Sequence, residues 1–213
     1  MKSRSRSRSR RIASDRAPRT ARALLALAAC AAVVYGAAAT AGPEVFRIDP
    51  ALTRSEFGVN HFWVTKLRGS FGRAEGTVVL DADEHAGSID FSVDASSVET
   101  GWSVRDHFIR GENMFDAARY PKVRFRSTQL IFDGVGLIGA AGELTLHNTT
   151  RPIALKIERM ECGPEADTGQ ESCRVAVISS IKRSEFGMKF ALPFVGDEID
   201  LSFHLTAHRV PPQ

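Results

Sequence analysis

The sequence predicts an all-β domain, an antiparallel barrel or sandwich, preceded by a leader that is not part of it. Three observations carry this. Apolar residues recur at every second position through most of the chain, the period at which the side chains of a strand share one face. Turn-forming runs such as Asp133-Gly134 and Asn148-Thr149-Thr150-Arg151-Pro152 separate the periodic segments. Helical patterning is confined to residues 103–120. Close-spaced amphipathic strands with few helices suit either architecture, and periodicity alone does not separate the two.

The leader is read from charge. The chain of 213 residues has 28 Lys+Arg against 25 Asp+Glu, a formal net charge of +3. Residues 1–22 hold nine basic side chains and one acid, residues 23–41 hold no charge, and the remainder has a net charge of −5. A basic run, an apolar stretch over 23–39 and the small residues Ala39-Thr40-Ala41 form the three parts of a secretory signal peptide. Cleavage is expected after Ala41, with Ala39 as the alternative. An uncleaved anchor is the rival reading, because about 17 apolar residues reach the lower limit of a membrane span. Leu27-Ala28-Ala29-Cys30 resembles a lipobox, which would instead make Cys30 a lipidated amino terminus. Without the leader, residues 42–213 suit one domain with a hydrophobic core. Their acidic balance gives no general attraction to nucleic acid or to an anionic surface.

Along that domain, Ile89, Phe91 and Val93 alternate with Asp90, Ser92 and Asp94. Ile153, Leu155 and Ile157 do the same, as do Ile199, Leu201, Phe203, Leu205 and Ala207. Less regular strands are expected over 57–65, 71–81, 122–132, 135–147 and 173–183, making at least eight. Residues 103–120 read as one or two short helices over an opening, ended by Pro121. A second irregular insertion, 184–196, carries Phe186, Met188, Phe190 and Phe194. Cys162 and Cys173 flank ten loop-like residues. In an exported protein a disulfide there would clip a hairpin; two unrelated thiols are the alternative.

The order of several short runs resembles the YceI-like family. They are Phe57-Gly58-Val59-Asn60-His61-Phe62, Leu67-Arg68-Gly69-Ser70-Phe71, Met114-Phe115-Asp116, Tyr120-Pro121, Gly142-Glu143-Leu144-Thr145-Leu146 with Thr150-Arg151-Pro152, and Ile181-Lys182-Arg183-Ser184-Glu185-Phe186-Gly187-Met188. The resemblance spans roughly 44–210. It implies a lipocalin-like antiparallel β-barrel of about eight strands in the periplasm or cell exterior, with an apolar tunnel for polyisoprenoid lipids such as isoprenoid quinones or prenyl phosphates. Asp106-His107-Phe108-Ile109 departs from the family's D-x-H-L by placing the histidine one position early.

The chemistry is weighed against that background. His204 and His208 mimic a metal pair, but four residues of strand span about 13 Å, too far to share one zinc. No nucleophile elbow, phosphate-binding loop, dinucleotide fingerprint or zincin helix is present in the sequence. The expectation is a non-catalytic carrier, store or sequestering protein. It has no metal or covalent cofactor, no nucleic-acid partner and no membrane span once mature, and it is a monomer or homodimer. An enzyme acting on a lipid in the same cavity and a solid-core interaction module are the rivals. All 13 phenylalanines lie beyond the leader, and each CH₂ of a lipid they bury is worth about 0.8 kcal/mol. The expected tunnel lining is Phe91, Val93, Phe125, Leu144, Leu146, Leu155, Ile157, Val177 and Phe203. Phe108, Phe115, Phe186 and Met188 are expected to form a lid, and Arg105 and Arg110 to meet an anionic head group.

Overall fold

The computed structural model describes residues 42–62, 64–72 and 74–211. The expected signal peptide over 1–41, with Cys30 and the cleavage site, lies outside them. Among the described residues eleven strands form a single antiparallel sheet: β1 Glu44–Ile48, β2 Arg54–His61, β3 Thr65–Phe71, β4 Glu75–Asp81, β5 Ala86–Asp94, β6 Val98–Glu99, β7 Lys122–Asp133, β8 Gly136–Leu146, β9 Thr149–Pro164, β10 Glu171–Lys182 and β11 Val195–Arg209. An α-helix, α1 Ser103–Arg110, interrupts them between β6 and β7.

These eleven strands occupy eight lanes. β1 and β2 lie end to end along the same edge of β11, with Ile48 opposite Ala207 and Arg54 opposite His204. β3 and β4 form the second lane against them, and β6 and β5 the third. β7 to β11 follow as single long strands, each paired with the next. Because β11 also pairs with β1 and β2, the ring closes. This settles barrel over sandwich, and closure leaves no long unpaired edge. The expected count of eight holds for lanes, and three of those lanes are broken.

Several boundaries differ from expectation for local reasons. The expected strand 57–65 is cut by a turn at 62–64, where Phe62 adopts φ 49. The expected strand 71–81 starts at Glu75 instead. The expected turn 148–152 is only His147-Asn148, both at positive φ (49 and 57), the backbone of a tight two-residue hairpin. Thr149 to Pro152 already pair with β8. Pro152 is tolerated because β10 pairs with β9 only from Lys156 onward, so no partner on that side needs its missing N–H. Residues 103–120 hold one helix, not two, with the rest turns.

Bulges explain the irregular alternation. In β7, Ser127 faces Gly142 and Gln129 faces Ala141, so Thr128 is an extra residue and the inward set passes from Val123 and Phe125 to Leu130 and Phe132. In β9, Ile157 faces Val177 and Arg159 faces Ala176, which moves the inward set from Ile157 to Met160. Each bulge flips the period by one residue. Beyond the second, Cys162 and Cys173 sit directly opposite each other, Cα–Cα 4.1 Å, and form a disulfide.

Candidate functional site

The inward faces do not meet. They enclose a cavity of about 470 Å³, within the 300–1,000 Å³ range of small-molecule sites. All nine expected lining residues border it: Phe91, Val93, Phe125, Leu144, Leu146, Leu155, Ile157, Val177 and Phe203. So do Phe46, Ile48, Phe57 and Phe71, which the period-two reading did not single out. β1 is short enough that Phe46-Arg47-Ile48 alone gives little periodic signal.

The cavity has a closed end and an open end. Toward the disulfide its walls are buried: Phe46, Cys173 and Ala207 are 7%, 5% and 6% exposed. Toward α1 its walls also touch solvent, for Trp102, Phe108 and Phe190 are 58%, 38% and 55% exposed and still line it. The mouth therefore lies among the β2–β3 turn, α1 and residues 183–194. Aromatic contacts and one backbone bond cross it. The Phe108 and Phe190 rings are 4.7 Å apart, Phe71 and Phe115 5.5 Å, and Phe62 N–H donates to Phe194 O at 2.8 Å.

Of the expected lid residues, Phe108, Phe115 and Met188 border the cavity. Phe186 does not. It is 1% exposed within the 3₁₀ turn Arg183–Phe186, packed in the core beneath His147, whose Nδ1 lies 3.3 Å from Phe186 O. Of the two arginines, Arg105 borders the cavity and Arg110 does not, because Arg110 Nη2 donates to Val98 O at 2.8 Å. Arg105 is oriented by a short relay. Its Nε and Nη2 donate to Thr100 Oγ1 and Thr100 O, each at 2.7 Å, and Thr100 donates from N and Oγ1 to the buried carboxylate of Asp106.

Arg183, within the family-like run Ile181 to Met188, is a site residue that the sequence reasoning did not assign. It continues the inward face of Val177 and Ile181 just past β10, borders the cavity and is 2% exposed. Its Nε, Nη1 and Nη2 donate to the carbonyls of Gly196, Met188 and Val195 at 2.9, 2.8 and 2.8 Å. Burial holds its pKa below the ordinary arginine value, with the charge of Asp197 opposing. Asp197 accepts from Ser184 N and Oγ at 2.8 and 2.7 Å. Its burial raises its pKa, but those bonds and the nearby cations outweigh that and leave the carboxyl more acidic than usual. An arginine on an apolar face is the signal that could have found this site, since a buried cation must be hydrogen-bonded.

The histidines sort out geometrically. His61 borders the cavity, whereas His204 is exposed on the outer face. His208 is half-buried, with Nε2 3.2 Å from Asp49 Oδ2. His85 lies in its turn with Nε2 2.7 Å from Gly134 O. Among the described residues, no three His, Cys, Asp or Glu side chains converge so as to hold a metal ion, and no helix is long and apolar enough to cross a membrane.

Known proteins share this architecture. A UPF0312 protein of Vibrio cholerae is 28% identical over 183 residues, covering 85% of this chain and 95% of that one. Protein YceI of Escherichia coli is 29% identical over 146 residues, 68% of this chain and 75% of its own. Among solved structures, Burkholderia cenocepacia BcnA aligns with a TM-score of 0.60 at 22% identity, covering 75% of this chain and 98% of BcnA. A polyisoprenoid-binding domain from Saccharophagus degradans aligns with a TM-score of 0.56 at 16% identity, covering 78% and 98%. At these identities the structures establish the shared barrel. The family model described as the YceI-like domain matches residues 46–207, from inside β1 almost to the end of β11 and so through every lane of the closed sheet; the chain belongs to that family.

Proposed function

We propose that the chain is an exported, non-catalytic binding protein that holds a long isoprenoid-type lipid in the barrel, for carriage, storage or sequestration. One observation carries this reading: a cavity, buried at the disulfide end and open toward α1, whose lining is overwhelmingly carbon side chains. A prenyl chain entering it would leave water without leaving any hydrogen bond unmet. The membership in the YceI-like family and the polyisoprenoid-binding neighbour support the same ligand class. The tunnel would be lined by the nine residues expected from the sequence, with Phe108, Phe115 and Met188 closing it. Arg105, fixed by Thr100 at the mouth, would meet a phosphate or a quinone carbonyl. Two buried charged side chains at this end already serve the fold, Arg183 through three carbonyls and Asp106 through Thr100. Residues 1–41 would be removed on export to the periplasm or exterior, where the disulfide is at home.

Native mass spectrometry of the purified barrel, followed by organic extraction, tests the reading directly. A bound lipid is expected, and saturating prenyl lipid at 100 times Kd should add about 2.7 kcal/mol of stability. Ala207, 6% exposed at the blind end, gives a specific variant: Ala207→Phe should shorten the longest prenyl chain accepted and leave shorter ones bound. Protein that is always empty and gains no stability from prenyl alcohols, phosphates or quinones would overturn it.

A further inference from the structure

The lanes alternate in direction, so the connections fall at two ends. The mouth end holds residues 62–64, 100–121, 147–148 and 183–194; the other holds 82–85, 134–135 and 165–170. Eleven large hydrophobic residues are exposed among the described residues, and seven of them sit on the mouth-end connections. Phe62 and Val64 are on the β2–β3 turn, 49% and 83% exposed. Trp102, Val104 and Phe108 stand on and beside α1, and Phe190 and Phe194 on the last connection. Phe108 stands against Phe190 and Phe62 against Phe194, ring centroids 4.7 and 5.8 Å apart, and a contiguous exposed apolar patch of this kind marks an interaction site.

Charge is segregated along the same axis. The mouth-end connections carry Arg105, Arg110, Arg119, Arg183 and Lys189 against Asp106, Glu112, Asp116 and Glu185, a net of +1. The opposite connections carry Asp83, Glu84, Glu165 and Asp167 and no Lys or Arg, a net of −4. The domain's net of −5 thus conceals a polarity. The mouth is the end that an anionic surface attracts, and the far end is the one it repels. Lys189, exposed beside Phe190, makes no ion pair with a described residue.

We infer that the mouth end is a docking face for an anionic phospholipid bilayer. Phe62, Val64, Trp102 and Phe190 enter the headgroup boundary while Lys189 meets lipid phosphates. A bilayer accepts individually protruding aromatic and aliphatic side chains without shape complementarity, and it favours aromatics at the headgroup level. A second copy would bring an equally cationic rim against this one. Docking in this pose places the open cavity against the membrane and the acidic, disulfide-clipped end in water. The inference concerns the rim and goes beyond the ligand held inside.

The test uses the barrel, residues 42–213, since the closed sheet, both core clusters and the disulfide all lie within it. Trp63→Phe leaves Trp102 as the one tryptophan. Co-sedimentation and fluorescence are read with phosphatidylcholine vesicles and with phosphatidylcholine mixed with phosphatidylglycerol. Tighter binding to the mixed vesicles and a blue-shifted Trp102 emission are expected, with binding weakened by salt. The pair Val64→Asp and Phe190→Asp should weaken binding on the order of a hundredfold with only a small fall in melting temperature, because Val64 is 83% exposed and Phe190, 55% exposed, gives up its ring contact with Phe108. Val135→Asp, 80% exposed at the far end, should leave binding unchanged. Equal binding by the rim pair, equal loss from Val135→Asp, an unshifted Trp102, or a solution dimer that shields Trp102 would each overturn the inference. All measurements are repeated after organic extraction. Vesicle binding that persists in empty protein separates this inference from the lipid-cargo reading.

Discussion

Replacing Arg183 by methionine keeps the length and apolar stem of the side chain and removes the guanidinium. In the folded protein that group satisfies the carbonyls of Gly196, Met188 and Val195. A buried acceptor left without a donor costs about 1–3 kcal/mol. The carbonyls of Gly196 and Val195 are only partly buried, so water recovers part of their loss. Removing the cation also removes its own desolvation penalty, the effect that depresses its pKa. Against that, Asp197 loses its nearest opposite charge, although Ser184 still donates to it twice. The net is a loss of about 3 kcal/mol, comparable to breaking a buried ion pair. With a urea m-value of about 2 kcal/mol/M for a domain of this size, the unfolding midpoint should fall by about 1.5 M. Arg183→Lys should lose nearly as much, because one ammonium cannot reach three diverging carbonyls. Hydrogen exchange should show 188–195 opening below the global unfolding free energy in both variants, since those carbonyls tie the segment that carries Phe190 across the mouth. A loss under about 1 kcal/mol for the methionine variant, or a lysine variant equal to wild type, would refute the reasoning.

Three further outcomes are expected. Gly142→Ala would place a Cβ 2.3 Å from Arg126 O and 2.6 Å from the Phe125 ring, so chemical denaturation should show a loss of about 1–3 kcal/mol and a retained fold. Cys162→Ser with Cys173→Ser opens a loop of sequence separation 11, worth somewhat under 3 kcal/mol in the chain-entropy model; calorimetry should show the melting temperature down by about 5–10 °C. Asp90, paired with Arg124 and Arg126, is held below the ordinary aspartate range first by the Arg124 hydrogen bond, and Asp49 by the backbone N–H of Ala51; Asp197 is lowered likewise. As pH falls the unfolded chain takes up protons first, so melting temperature should be flat above about pH 5 and decline from about pH 4 downward, a prediction sunk by a decline centred above pH 6.

The legible parts of the chain were those with unbroken alternation. In β11, Ile199, Leu201, Phe203, Leu205 and Ala207 all line the cavity as their spacing required. β7 and β9 read poorly because each carries a bulge that reverses inside and outside midway. Phe186 and Arg110 were drawn toward the cavity by residue type, yet one packs beneath His147 and the other caps Val98. Their insertions lack a period, so nothing local indicates where a side chain points. Arg183 was legible in retrospect, as a cation in phase with the apolar face of Val177 and Ile181.

By itself, the sequence determined which residues of each regular strand face inward, that the domain is all-β, and that the cysteines flank a hairpin. These are consequences of neighbouring residues on one backbone, where the two-residue period is local. Only the tertiary structure decided that the sheet closes, that eleven strands share eight lanes, and that the inward faces leave about 470 Å³ between them. Closure depends on β11 pairing with strands some 150 residues earlier. The cavity depends on whether side chains from opposite lanes together fill the interior, a sum over residues that share no local pattern. The same folding back gathers Phe62, Trp102 and Phe190 at one mouth and sends the acidic hairpins to the other end.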